Sequence, residues 1–402
     1  MSQQPQYTMN SANVLSVASQ FFSPLGQLIS LEASDLRILA HILIYASSRN
    51  LSISRSCEEL SGVPPHYDAL KCLRDAAENL KTLTKHLNDI LAQAIPKSFS
   101  RSRRKFAIDV VQIPYQGRVE QRFEDQVCNS QAKGGTTRCF LYATACCLFE
   151  GRRYTVAMTP CQKGETMDVI LKRLMRRLSF LGLKVKFLLL DREFFSVKVI
   201  RYLQRKKTAF IMPARKTGKS PKHEGGPTGT YRFACLKRSC WVQYKMKSNE
   251  QATTFDLAVV CVNSMGRNSK NERVTFLYAT YGMRLKPARW IRETYRKRFG
   301  IEASYRQMHQ LKIRTSTRHA GMRLMLIGVA LILRNLWVWL HIEVIAAPNQ
   351  RARKRKPSIL RLNTMMLWCL IEILRIHPPT LEIPVYRDVL SKLFEFESLL
   401  NY

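Results

Sequence analysis

Acidic residues are scarce in this sequence, 29 Asp and Glu against 65 Lys and Arg. Carboxylates placed at apolar strand-like runs therefore stand out. Asp109 lies within Phe106-Ala107-Ile108-Asp109-Val110-Val111, and Asp191 directly follows Phe187-Leu188-Leu189-Leu190. A carboxylate on a buried strand is costly unless it binds a cation or pairs with a guanidinium. A third acid, Glu302, belongs to a polar stripe. Tyr295, Arg298, Glu302, Arg306 and His309 fall at offsets 0, 3, 7, 11 and 14, one narrow face at about 100° per residue. Taken singly, each aspartate reads equally as an ion pair or a strand-end cap, and the stripe as a solvated helix face. Taken together, the three acids suit one chemistry. Three carboxylates can hold two Mg2+ ions, with Mn2+ able to substitute, about 3.5–4 Å apart. One ion activates a water or 3′-hydroxyl and the other stabilises the leaving 3′-oxygen of an in-line displacement, with no covalent protein–DNA intermediate. Arginines on the same face would clamp phosphates.

These residues also carry a resemblance. Asp191-Arg192-Glu193-Phe194-Phe195 resembles the second-aspartate motif of the DDE transposases of the insertion-sequence-4 superfamily. Tyr295-x2-Arg298-x3-Glu302 matches the start of that superfamily's Y-x2-R-x3-E-x6-K signature, and Asn335-Leu336-Trp337 is similar to a later part of it. Asp109-Val110-Val111-Gln112-Ile113-Pro114-Tyr115-x-Gly117 is similar to the first-aspartate motif of the ISH3-type branch. The likeness covers roughly residues 100–345. It implies metal-dependent cut-and-paste movement of DNA, a homodimer on the terminal inverted repeats of an element and on target DNA, and a hairpin intermediate at the element end. It also implies that Tyr295 and Arg298 touch a phosphate near the cut. The sequence departs from the signature at its last position, where His309 replaces Lys. Arg306 or Lys312 could supply the missing charge, so the phosphate contact assigned to that lysine is open while the acid triad is intact.

The elements that must position these groups follow from hydrophobic periodicity. Strand patterns cover Phe106–Ile113, Thr136–Phe149, Arg153–Pro160, Val185–Leu190 and Thr208–Pro213, and helical patterns cover Glu165–Leu181 and Ser196–Lys206. The order β-β-β-α-β-α-β predicts an α/β ribonuclease-H-like core that sets the ends of the first and fourth strands side by side. Residues 1–100 read as a helical N-terminal domain. Within it, Cys57 to Val63 resembles the short helix and glycine turn of a helix-turn-helix, a candidate for reading DNA ends, although a plain bundle fits equally. A polar basic stretch, 98–105, marks the boundary. The core is then expected over 101–225. A β-rich insertion follows over 226–286, with strand patterns at Tyr231–Lys247, Thr254–Val262 and Arg273–Tyr281. The last core helices, carrying Glu302 and opening at Pro287, span 287–346, and a basic linker with C-terminal helices spans 347–402.

Composition points to the same partner. The net charge of +36 over 402 residues draws polyanions through counterion release, and the basic residues lie along the whole chain. Lys216, Lys219 and Lys222, in a Gly- and Pro-rich loop, are candidate backbone-phosphate contacts. Glu193 is a candidate neighbour of the metal set. Trp241 and Trp290 read as core residues or as platforms for a displaced base. The eleven cysteines contain no CxxC pair and read as reduced thiols. The first residues lack a secretory pattern. The apolar stretch from Leu324 to Ala347 is interrupted by Arg334, Asn335, His341 and Glu343, so a buried helix is expected there and no membrane. A cytoplasmic, nucleoid-associated protein of a prokaryote, with no small-molecule substrate, is the expectation. A transposase-derived DNA-binding protein without activity is the alternative, which loss of one acid would favour; all three are present. The Tyr-Arg-Glu helix argues against a junction resolvase, and the acid cluster against a ribosomal protein.

Overall fold

The apolar run Val185–Leu190 forms the central strand of the protein, buried from Phe187 onward, as a continuous run with helices on both faces should. The structure is a computed structural model and describes residues 8–220, 224–248, 251–265, 271–345 and 360–379. In chain order the helices α1 (Ser11–Phe22), α2 (Leu25–Ile29), α3 (Ala33–Arg49), α4 (Ile53–Glu59), α5 (His66–Ala76), α6 (Leu80–Gln93) and α7 (Ser98–Arg101) come first. Strands β1 (Arg104–Pro114), β2 (Val127–Lys133), β3 (Thr136–Phe149) and β4 (Arg152–Cys161) follow, then α8 (Met167–Phe180), β5 (Val185–Leu190), α9 (Val197–Arg205) and β6 (Phe210–Pro213). Next are α10 (Tyr231–Ala234), β7 (Cys240–Lys247), β8 (Ala252–Met265) and β9 (Asn271–Tyr281). Helices α11 (Ala288–Arg296), α12 (Gly300–Gln310), α13 (Ala320–Trp339) and α14 (Leu362–Ile376) complete the described elements.

The nine strands of the described residues join one mixed sheet, in the order β2-β3-β1-β5-β6-β9-β8-β7, with β4 also on β3. Strands β2 and β4 share one edge of β3: β2 takes Thr136 to Phe140 and β4 takes Leu141 to Phe149. The α/β class and the ribonuclease-H-like arrangement expected from the pattern are present. Strand β2 was not expected, because Val127–Lys133 is mostly polar and lacks alternation. The three later strands were expected as an insertion, and they extend the same sheet through the antiparallel β6–β9 pairing. Tyr231 to Ala234, expected as strand, is a helical turn.

Register explains how the two aspartates meet. β1 runs parallel to β5 with Ile108 opposite Leu190. Asp109, midway along β1, and Asp191, the first residue past β5, are each the next residue, so they lie side by side where β5 ends.

The apolar helix α13 and its π-helical continuation (Leu340–Ile345) form a span of 26 residues that is long and apolar enough to cross a membrane. In this protein 89% of its most apolar window is buried. It packs in one core with α1–α6 and α14, which rewards a helix apolar on nearly every side. Gly321 at its start lets the helix approach the end of α5; a Cβ there would lie 1.9 Å from the carbonyl oxygen of Ala77.

Polar residues inside this core have partners. Strand β4 is an edge strand, and its outward backbone groups need hydrogen bonds. Two buried asparagines supply them. Asn335 Nδ2 donates to Thr155 O (2.7 Å) while Thr155 N donates to Asn335 Oδ1 (2.9 Å). On α6, Asn88 does the same for Met158, at 2.9 and 2.7 Å. Each amide thus stands in for a strand partner. Asn335→Leu is expected to strand two buried backbone groups and cost ~2–4 kcal/mol. Urea unfolding would measure it, and a cost below about 0.5 kcal/mol would refute this role.

Helix α3 and the end of α14 meet at a histidine pair, His41 Nδ1 and His377 Nε2, 3.1 Å apart. His377 Nδ1 is 3.1 Å from Ser61 O and must carry the proton there, so His41 Nδ1–H donates to His377 Nε2. Burial, then His377 and Arg37, push His41 down to about 4. The unfolded chain therefore takes up a proton near pH 6.5 that the folded protein refuses until about pH 4. Stability is expected to fall by ~3 kcal/mol as pH drops through that window and to stay level above it. His41→Asn keeps a donor and removes the titration. Its pH profile should be flatter than the parent's, and coincident profiles would contradict the assignment.

Candidate active site

The three acids come from three separate elements. Asp109 is on β1, 7% exposed. Asp191, half-buried, caps the short 3-10 turn Arg192–Phe194 after β5. Glu302 is in the first turn of α12 and its side chain is 56% exposed. They converge on one guanidinium. Arg298 Nη1 donates to Asp109 Oδ2 at 2.8 Å, and Arg298 Nη2 donates to Asp191 Oδ1 at 3.3 Å. The same Nη2 is 4.0 Å from Glu302 Oε1. Arg298 is itself only 5% exposed. It stands over the ring of Tyr295, 5.3 Å from the centroid.

Burial and charge compete here. It pushes the Asp109 carboxyl up to about 6, against the attraction of Arg298 and with the repulsion of Asp191. For Arg298 burial acts downward, yet Asp109, Tyr295 and Asp191 outweigh it and hold its pKa above the ordinary value. The buried Tyr305 hydroxyl, raised well above its usual range by desolvation and Asp109, is 2.9 Å from Thr144 Oγ1. Thr144 is the register partner of Asp109 on β3, so α12 is pinned beside the first aspartate.

The segment carrying these groups is not one helix. The expected stripe from Tyr295 to His309 is broken by a 3-10 turn, Lys297–Phe299, between α11 and α12. The break displaces the stripe's two ends. Tyr295 and Arg298 are buried, whereas Arg306 is exposed. Tyr295 therefore packs under the site, in a cluster with Tyr278 and Ile291. The turn is held from outside: Arg153 Nη2 donates to Lys297 O at 3.1 Å. Gly300 admits that guanidinium, since a Cβ there would sit 1.5 Å from Arg153 Cζ. Helix α12 is clamped again by the fully buried Arg334. Its guanidinium donates to Ser304 Oγ (2.7 Å), Arg153 O (2.7 Å) and Gln307 Oε1 (3.3 Å). The arginine that spoils α13 as a membrane span is thus a fastener for the glutamate's helix.

A cleft of about 1250 Å³ opens beside the acids. Asp191, Glu193, Tyr295, Arg298 and Lys216 line it, as do Arg192, Arg215, Arg292 and Arg296. Sequence reading had singled out the first five and missed the other four arginines. Arg292 and Arg296 had a usable signal, because they lie four residues apart on one face of α11. Arg215 lies in the same basic loop as Lys216, two residues past a four-residue strand, and was passed over for the lysines. Glu193 is exposed at this mouth, its carboxyl raised by desolvation and by Asp191.

The remaining candidates are dispersed. Among the described residues, no hydrogen bond or ion pair joins Arg306, His309 or Lys312 to the three acids. His309 is half-buried; burial, Lys133 and Lys312 lower its pKa, which works against its standing in for a lysine's charge. Lys219 is exposed, and Lys222 lies outside the described residues, as do the basic run 351–356 and everything beyond 379. The indole of Trp241 donates to Lys286 O at 3.0 Å, and Trp290 meets Phe187 edge to face; both are engaged in packing.

Among the described residues, no group of three or more His, Cys, Asp or Glu side chains is set as a finished metal cage. The three acids surround Arg298 instead.

No curated protein matches the chain. Among solved structures, the chain is similar to a piggyBac transposase determined as a synaptic complex with hairpin DNA. The TM-score is 0.54 at 11% identity, over 98% of this chain and 86% of that one, a likeness of fold. The profile of the transposase DDE domain matches residues 100–336, which is more than half of the chain and includes Asp109, Asp191 and Glu302. On that match, the chain belongs to the transposase DDE-domain family.

Proposed function

We propose that this protein is an active DNA transposase of the insertion-sequence-4 type, similar to the ISH3-type branch. In this reading it cleaves at element ends and joins them to target DNA. The observation that carries the reading is the convergence of Asp109, Asp191 and Glu302 on one point beside a cleft lined by basic side chains. The oxygen-only donor set fits Mg2+ or Mn2+. When bound, two such ions supply Lewis-acid stabilisation at the attacking and leaving oxygens of phosphoryl transfer. The chain's own residues do the rest. Asp109 and Asp191 project from rigid parallel strands and fix two corners of the site, while Glu302 supplies the third from a helix held by Arg334 and Tyr305. Arg192, Arg215, Lys216, Arg292 and Arg296 bind the backbone phosphates that lead to it. Lys219, Lys222, Arg306, His309 and Lys312 are assigned to other phosphates of the same DNA. The N-terminal helices and strands β7–β9 are assigned to reading the terminal repeats. A homodimer on paired ends, a hairpin route and a nucleoid location belong to the same reading.

The test is nicking of a plasmid that carries the gene with its native flanks, with and without Mg2+. Metal-dependent cuts at the flanks are expected. Tight binding without cuts under any divalent ion would reassign the protein to a DNA-binding derivative.

A further inference from the structure

Resting on the reading of the three acids as the metal-binding set, we propose that Arg298 is a counter-ion gate. It holds the acids together before DNA arrives and must leave before divalent cations enter. Three observations carry this. First, its two terminal nitrogens lie at 2.8, 3.3 and 4.0 Å from one oxygen of each acid, so the guanidinium fills the point on which they converge. It is nearly enclosed there, and one positive charge replaces what two divalent ions would bring. Second, its backbone lies in the 3-10 turn between α11 and α12, which Arg153 holds, so the guanidinium can move by its own side-chain rotations while the turn stays in place. Third, a destination adjoins it. Arg298 also lines the large cleft, where Arg192, Arg215, Lys216, Arg292 and Arg296 gather. These groups hold phosphates in the proposed function. A phosphate in the cleft offers the fork of Arg298 a bidentate partner, and the face of Tyr295 supports the guanidinium along the way.

The consequence is thermodynamic coupling. Phosphate binding removes the competitor for the carboxylates, so DNA tightens metal binding and metal tightens DNA binding by the same factor. Without DNA, the acids stay paired with arginine and hold metal weakly.

The experiment is a Mn2+ titration of the full-length protein, reading free Mn2+ by electron paramagnetic resonance, with no cleavage involved. The proteins are the parent, Arg298→Gln, Arg298→Lys, and Asp191→Asn in the parent and Arg298→Gln backgrounds. Without DNA, Arg298→Gln is expected to bind Mn2+ about tenfold more tightly than the parent. A short duplex should tighten the parent by a similar factor and leave Arg298→Gln almost unchanged. If Arg298→Gln does not fold, Arg298→Lys gives the answer, since it cannot bridge the acids as a fork; it too should bind Mn2+ more tightly than the parent without DNA. Equal affinities in parent and arginine variants, or a DNA effect that survives removal of Arg298, overturn the gate. The Asp191→Asn proteins separate this from failure of the underlying reading. If they lose the bound Mn2+ while the arginine variants match the parent, the metal set stands and the gate falls. If they bind Mn2+ as the parent does, the metal set itself is wrong and the gate falls with it.

Discussion

Glu302→Gln is expected to lower DNA cleavage by about a thousandfold or more, roughly 4 kcal/mol of transition-state stabilisation, with folding stability and DNA binding nearly unchanged. The position makes this a clean test. The Glu302 side chain is 56% exposed and only 4.0 Å from Arg298, so its ion pair contributes little to the fold, and glutamine fills the same volume. A loss of activity then reports on chemistry alone. Asp109→Asn should abolish cleavage too, but its interpretation is less direct. Asp109 is buried, its Oδ2 accepts from Arg298 and its Oδ1 accepts from the backbone N–H of Val110, so the replacement alters packing and charge together. Cleavage by Glu302→Gln at the parent rate, with Mg2+ saturating, would remove Glu302 from the site.

The second large effect is electrostatic. DNA affinity is expected to fall by about three orders of magnitude or more between roughly 50 and 200 mM salt, as for proteins making 6–10 phosphate contacts. A chain with net charge +36 has ample groups for that, but charge alone does not place the contacts. The cleft does. Among the described residues, Lys216, Arg292 and Arg296 line it without an ion-pair partner, in contrast to paired arginines such as Arg173 with Glu165. Replacing all three by Gln should reduce the log–log salt slope by about 2–3, near 0.9 for each lost phosphate. Fluorescence anisotropy over a salt series measures this. A slope equal to the parent's would show that DNA takes another path across the protein.

What the sequence made legible follows from the physics of each signal. Val185–Leu190 was readable because its buried part, Phe187–Leu190, is apolar at every position, and the acid that follows it stands against that background. The pairing of Asp109 with Asp191 was legible for the same reason, since strand order fixes which ends meet. The break after Tyr295 was not. No proline lies in Lys297–Phe299, and the turn is fixed by Arg153, some 140 residues earlier, donating to Lys297 O. Long-range hydrogen bonds leave no periodic trace. That also hid the role of Arg334, which reads as a defect in an apolar helix until its partners on β4 and α12 are seen. Asn335 belonged to a motif by resemblance, and its part in closing the edge of β4 became clear only from the partner strand. Strand β2 was missed because an edge strand paired over few residues needs no apolar alternation. The place of Arg298 among the acids left no trace in the sequence, because it is set by partners on three separate elements.

The central claim, that Asp109, Asp191 and Glu302 form a DNA-cleaving site, is tested most directly with Asp191→Asn. Parent and variant would be bound to the same labelled duplex carrying an element end. Binding would be verified by gel shift, and strand cleavage followed in single turnover after Mg2+ addition. The account predicts a cut at the end with the parent and an intact complex with uncut DNA with Asp191→Asn. Undiminished cutting by the variant would contradict it.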